Sequence, residues 1–315
     1  MLLVKSVAIF FLVSVTGACY SQQNKPATEK NTQKKVADSN SLLYEISGRG
    51  LTTPSYLYGT MHIACSDDVK MSKGLKSAIG KAKQVYFEVD MDNMEEMMGV
   101  LNHARMNNNL KISDLVTPEE YARLEQYFSQ NKSPIPFAMM GRFKPYFITA
   151  LISESMMDCE SKSSVEQIIM TEARNNDKEV LGLETIEFQA SIFDKIPYEK
   201  QAKDLVNYVD SIDKYKKNTL ELMELYRQQD VEKMEKMMVD YDPGMADFME
   251  VLLYDRNKRW ISQISEQVFQ MPTLFAVGAG HLGGEKGLIK LLQSEGFTVK
   301  ALENREAALP EGEKL

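Results

Sequence analysis

Two short segments near opposite ends of the chain carry the same pattern. Ser55–His62 (SYLYGTMH) is a β-prone run ending in Gly59-x-x-His62, and Leu274–His281 (LFAVGAGH) is a β-prone run ending in Gly278-x-x-His281. Each is followed by a helical stretch with a Gly-Leu pair, Gly74-Leu75 or Gly287-Leu288, and then by another strand-like run. Strand, crossover helix and strand is the unit from which parallel sheets are built, so the repeat restricts the chain to an α/β architecture. In open sheets of that kind, ligands bind outside the carboxyl ends of the strands. A glycine there permits a tight turn or a close backbone approach, and the following histidine can reach the crevice. The imidazoles are 281 − 62 = 219 residues apart, yet neighbouring parallel strands would bring them to one site. This is a different arrangement from two ligands one turn apart on a single helix.

The remaining patterns describe a sheet divided by a helical middle. Further strand-like runs are Leu42–Ile46, Gln84–Val89, Lys178–Leu183 and Phe297–Leu302. Thr117-Pro118-Glu119-Glu120 reads as a helix start, with an N-cap, Pro at the first position and acids that complement the dipole. From Pro197 onward, Tyr198, Ala202, Leu205, Val209 and Ile212 form one apolar stripe, which predicts a single long helix. Helical patterns also cover about 94–106, 147–157, 165–175, 187–193, 231–238 and 245–268. The expectation is a mixed central sheet built from the two strand-Gly-x-x-His-helix-strand units, in a domain spanning 42–302. A mostly helical insertion occupies about 93–270, and 303–315 is a polar tail. At ~150 residues per domain, 315 residues would give about two units, and one domain with a large insertion satisfies that length equally well.

Residues 1–18 (MLLVKSVAIFFLVSVTGA) place one Lys before an apolar run and then small residues, the order of a secretory signal. Two outcomes stay open at its end. Cys19 follows Thr16-Gly17-Ala18, close to the context in which bacterial lipoproteins are cleaved and lipidated, although Thr16 stands where a large apolar residue is usual; ordinary signal cleavage is the alternative. Residues 19–41 are polar and read as a linker. The expected location is the periplasm or cell envelope, with membrane contact only through lipid on Cys19. In an oxidising compartment the two remaining cysteines, Cys65 and Cys159, are expected to form one disulfide, two separate buried thiols being the alternative. The charge balance of 37 − 45 = −8, without a Lys/Arg tract interleaved with aromatics, argues against a nucleic-acid partner.

Chemistry has few imidazoles to draw on: His62, His281 and His103, the last on a polar helix among asparagines and read as structural. Carboxylates and cations that could complete a site with the paired histidines are Glu88, near the end of a strand where a charge needs a partner, and Glu184, at the end of another strand with Gln189 five residues on. Arg256-Asn257 lies on a charged helix 281 − 256 = 25 residues before the second histidine. A buried salt bridge at Glu88 and a solvated Arg256 are the plain alternatives.

The paired Gly-x-x-His motifs, Glu88, Gly182-Leu183-Glu184-Thr185 with Gln189, Arg256-Asn257 and the closing Gly278-Ala279-Gly280-His281-Leu282-x-Gly284 together resemble the TraB/GumN/Tiki family over about Leu42–Leu302. The resemblance implies a fold like that of erythromycin esterases and ChaN-like proteins. It also implies relatives of two kinds, metal-dependent Tiki proteases and TraB proteins linked to inhibition of peptide pheromones. Carried residue by residue, it puts His62, Glu88 and His281 at the centre, with Arg256 and Glu184 nearby and Gly59, Gly278, Gly280, Gln189 and Asn257 supporting them. The expected activity is hydrolysis of peptide bonds in a peptide or protein substrate. His62, Glu88 and His281 would hold one divalent metal (Mn, Co or Zn) that activates water. Glu184 would act as general base or orient a ligand, and Arg256 would stabilise the developing oxyanion. Two alternatives stay open, a metal-independent esterase-like hydrolase and a non-catalytic protein that binds a peptide or haem.

Overall fold

A computed structural model describes residues 40–66, 69–131, 133, 135–157, 159, 161–240 and 249–305. The expected leader at 1–18, Cys19, nearly all of the expected linker and most of the expected tail lie outside the described residues. The strands are β1 (Leu43–Ser47), β2 (Ser55–Thr60), β3 (Ala64–Cys65), β4 (Gln84–Val89), β5 (Lys162–Ser163), β6 (Glu179–Glu184), β7 (Thr273–Gly278) and β8 (Thr298–Ala301). Six of them make one sheet in the order β6-β4-β7-β2-β1-β8. The first four are mutually parallel, whereas β1 runs antiparallel to both β2 and β8. Every residue of β2, β4 and β7 is buried. That explains their near-continuous apolar runs, since parallel strands covered on both faces have no solvent side to alternate with.

The helices are α1 (Lys73–Lys81), α2 (Met94–His103), α3 (Pro118–Gln130), α4 (Phe137–Met140), α5 (Pro145–Ser155), α6 (Val165–Asn175), α7 (Ile186–Phe193), α8 (Tyr198–Asp210), α9 (Ile212–Arg227), α10 (Val231–Asp240), α11 (Asp255–Gln270) and α12 (Leu288–Ser294). Two hydrophobic cores result. One packs Leu57, Phe87 and Phe275 of the sheet against Ile79, Ile169, Ile264 and Leu292 of α1, α6, α11 and α12. The other fills the helical region with Leu124, Ile148 and Leu205 from α3, α5 and α8. The chain between β4 and β7 builds this second core and also returns to the sheet to add its edge strand, β6. Among the described residues no helix is long and apolar enough to cross a membrane.

The single long helix predicted from Pro197 is in fact two. It breaks at Ser211 (φ −119°, ψ 29°), so Ile212 opens α9 instead of extending the stripe of α8. Across the break the rings of Tyr208 and Tyr215 stack with centroids 4.2 Å apart, a contact between buried aromatics that a continuous helix would not make at this spacing. Of the helix predicted over 245–268, residues 245–248 lie outside the described residues; the rest is a π-turn, Glu250–Tyr254, that runs directly into α11. A disulfide joins Cys65 to Cys159, with Cα atoms 5.8 Å apart, beside the β3–β5 ribbon.

Candidate active site

Four adjacent parallel strands end at the same edge of the sheet, and each delivers one polar side chain there. Glu184 closes β6, Glu88 is the penultimate residue of β4, His281 sits in the 3₁₀ turn Ala279–His281 after β7, and His62 follows β2 by two residues. The register Thr60↔Gly278 sets the two histidine-bearing turns side by side. A Cβ on Gly59 would lie 3.1 Å from Ala279 Cα, so glycine lets β2 close against the turn that carries His281. One on Gly280 would meet Met238 Sδ at 2.7 Å.

Arg256, from the first turn of α11, is buried at the centre of this edge. Its Nε and Nη2 donate to Glu184 Oε1 at 2.9 and 2.5 Å, and Nη2 also donates to Glu88 Oε2 at 2.5 Å. Nη1 donates to the Leu252 carbonyl of the π-turn at 3.1 Å and contacts His281 Nε2 at 3.2 Å. A guanidinium has five N–H donors, and these five contacts use them all. Glu184 Oε2 accepts from Trp260 Nε1 at 3.1 Å, and the guanidinium lies 4.6 Å from the Trp260 ring centroid. Burial alone would lower the Arg256 pKa, but Glu88 and Glu184 raise it, so the charge is locked in place.

Glu184 accepts on both oxygens and Arg256 donates on every N–H, an arrangement that suits the two to orienting their neighbours. Glu88 is similarly committed. Its Oε1 accepts from Gly278 N at 2.8 Å, and its Oε2 accepts from Gln189 Nε2 at 3.1 Å as well as from Arg256.

His281 is fully buried, and its network fixes its tautomer. Asn257 Nδ2 donates to the carbonyls of His281 (3.3 Å) and Lys286 (2.9 Å), which orients the amide. Asn257 Oδ1, 2.7 Å from His281 Nδ1, must then accept, so Nδ1 carries the proton and Nε2 presents its lone pair to Arg256. Burial, then the Arg256 charge, then the His62 charge push the His281 pKa well below the usual imidazole range. This ring stays neutral.

His62 has the opposite surroundings. Its Nδ1 lies 2.6 Å from Oε1 of Glu166, a buried carboxylate on the first turn of α6. Ser164, the N-cap of that helix, donates its hydroxyl to Glu166 Oε2 at 2.7 Å. Burial pushes the His62 pKa down, yet the Glu166 charge and hydrogen bond outweigh it, with Glu88 adding to the rise and Arg256 opposing it; the net shift is upward. Burial likewise pushes Glu166 up, but His62, Thr60 and Ser164 hold its carboxyl down to about 2. Neither ring nitrogen of His62 makes a well-directed hydrogen bond among the described residues: Nδ1 meets Glu166 Oε1 as a close ion pair, and Nε2 is buried with no polar partner. Glu166, Thr60, Ser164 and Trp260 were not anticipated as parts of this site.

These donors can be tested against a divalent metal. His62 suits one singly, because an unpartnered Nε2 with Nδ1 against a carboxylate is how metal-bound imidazoles are commonly held. The expected set of His62, Glu88 and His281 does not fit as arranged. Among the described residues, no three His, Cys, Asp or Glu side chains converge to hold an ion. The physical reason is the Arg256 guanidinium, whose charge already satisfies Glu88 and whose Nη1 faces His281 Nε2.

Known proteins match this chain at low identity. Metalloprotease TIKI2 of Danio rerio is 21% identical over 339 residues, covering 89% of this chain and 63% of that protein. Metalloprotease TIKI1 of Danio rerio is 21% identical over 323 residues, with 85% and 64% covered. The Metalloprotease TIKI homolog of Amphimedon queenslandica is 22% identical over 358 residues, with 96% and 67% covered. The chain thus spans less than two thirds of the length of the two Danio rerio proteins. No solved structure matches significantly. The converging strand ends, both Gly-x-x-His turns and the buried Arg256 all fall within residues 42–301, which match the family's sequence profile, and the chain belongs to the TraB/PrgY/gumN family.

Proposed function

We propose that this protein is a hydrolase of peptide bonds in which His62 is the general base. The observation that carries the reading is the state of His62: Nδ1 in a 2.6 Å ion pair with a buried carboxylate, and Nε2 buried with no polar partner among the described residues. Neutral His62 takes a proton from water at Nε2 while the water oxygen attacks the scissile carbonyl. The Glu166 carboxylate stabilises the resulting imidazolium, which then returns the proton to the leaving amine. Neutral His281, locked Arg256 and Glu88 form the fixed floor of the crevice. Peptide bonds are preferred over esters because the relatives carry the name metalloprotease.

A second reading places a divalent ion (Mn, Co or Zn) on His62 Nε2; the unpartnered nitrogen and the relatives' names favour it. Export to the cell envelope is proposed alongside either reading, supported by the leader at 1–18 and the Cys65–Cys159 disulfide. The test is a peptide-library digest by the purified mature chain, with and without chelator and added Mn, Co or Zn. Hydrolysis that survives chelation and is lost in His62→Ala is the expected result. Hydrolysis lost on chelation and restored by one ion selects the second reading, and undiminished hydrolysis by His62→Ala overturns both.

A further inference from the structure

A cleft of about 320 Å³ lies beside the candidate active site, between α7 and the start of α11, and Arg256 lines it. It is at the lower end of the roughly 300–1,000 Å³ usual for small-ligand pockets, enough for one large side chain. Phe188, Ile192 and Val251 give it an apolar wall. They belong to a small hydrophobic cluster separate from both main cores. Ile192 at its centre is buried, whereas Phe188 and Val251 are only partly covered and line the cleft.

The charges around the cleft do not balance. Four cations line it, Lys195, Arg256, Lys258 and Arg259, against one carboxylate, Asp255. Arg256 is neutralised by Glu88 and Glu184. Lys258 is matched by Glu250 at 2.7 Å and Asp255 at 3.5 Å. Lys195 and Arg259, both exposed, have no carboxylate partner among the described residues. The Arg259 guanidinium instead sits over the Phe188 ring, its Cζ 3.8 Å from the centroid. A guanidinium stacked on a ring keeps its in-plane N–H groups for a carboxylate, which it binds bidentately.

We infer that this cleft is the subsite for a large apolar residue of the peptide substrate that carries, or adjoins, a carboxylate, with Lys195 and Arg259 receiving the negative charge. The apolar side chain packs on Phe188, Ile192 and Val251, and the cleft leads the adjoining peptide bond toward Arg256 and the histidines. The carboxylate is either an acidic side chain or the C-terminus of the peptide. This inference rests on the proposed function and specifies its substrate class.

Three peptides separate the possibilities: acetyl-Ala-Ala-Phe-Glu-amide, acetyl-Ala-Ala-Phe with a free C-terminus, and the neutral acetyl-Ala-Ala-Phe-Gln-amide. Binding to the His62→Ala chain is measured by calorimetry, so turnover does not intervene. Quenching of Trp260, the chain's one tryptophan, gives a second readout beside Arg256. At least one carboxylate peptide is expected to bind about tenfold more tightly than the neutral one. Which of the two does so identifies the source of the charge. Adding Lys195→Glu and Arg259→Glu should abolish that preference, read as the ratio of carboxylate-peptide to neutral-peptide affinity in the same variant, which cancels any common loss from removing the Arg259 contact with Phe188. Equal binding of all three peptides, or a preference that survives the charge reversal, overturns the inference. A preference that holds while the unsubstituted chain hydrolyses no peptide would instead overturn the proposed function alone.

Discussion

The β2 and β7 units share one sequence pattern and put their histidines at neighbouring strand ends, yet they treat the imidazole in opposite ways. After β2, a buried carboxylate from α6 holds His62 and raises its pKa; after β7, an amide holds His281 and burial beside Arg256 lowers it. The difference comes from the helices that pack over each turn. Glu166 is supplied by the helix after the β3–β5 ribbon, and Asn257 and Arg256 by the helix before β7. A repeated motif thus fixes where two side chains stand, while non-repeated neighbours push one imidazole's pKa up and the other's down.

Removing one histidine and not its counterpart tests this division most severely. His62→Ala should lower peptide hydrolysis by about 10²–10⁴-fold, the usual contribution of a general base, measured well below the variant's own melting temperature because the buried Glu166 loses its ion-pair partner. Asn257→Leu attacks the other side. It leaves the buried His281 N–H unpaired and should cost about 1–3 kcal/mol in urea unfolding. Glu166→Gln removes the charge that raises the His62 pKa, so the acid limb of kcat/KM, which rises as His62 becomes neutral, should move to lower pH with a reduced plateau. The same substitution should alter acid unfolding. Because the folded carboxyl is held down to about 2 from 4.5, its stabilisation is complete above the latter value and is lost as pH falls toward the former, a loss the variant lacks. The smallest effect is expected from Cys65→Ser with Cys159→Ser. The bridge ties the segment after His62 to the segment before Glu166, so its loss should move the same acid limb in the same direction, by less.

Much of this site is legible in the sequence because strand ends are. The β-prone runs of β2, β4 and β7 are long enough in apolar residues to place Glu88, His62 and His281 at one edge. Roles were harder, since saturation of Arg256 depends on five contacts from four separate elements that no spacing encodes. Glu166 escaped notice because an acid two residues after Ser164 looks like an ordinary helix start. A signal was available: Glu166 lies four residues before Met170 and seven before Ala173, all buried in α6, so a carboxylate stands on the apolar stripe and requires a partner. The break at Ser211 left no such mark, because the apolar spacing of α8 continues across it into Ile212.

The central claim is that the two motif histidines differ in protonation. With only His62, His103 and His281 in the chain, an NMR pH titration of the imidazole resonances, assigned by single substitutions, reads it directly. His62 should titrate above 6.5 and lose that elevation in Glu166→Gln, while His281 stays neutral well below 6.5. Coincident titration of His62 and His281, or a His281 that protonates first as pH falls, would contradict the account.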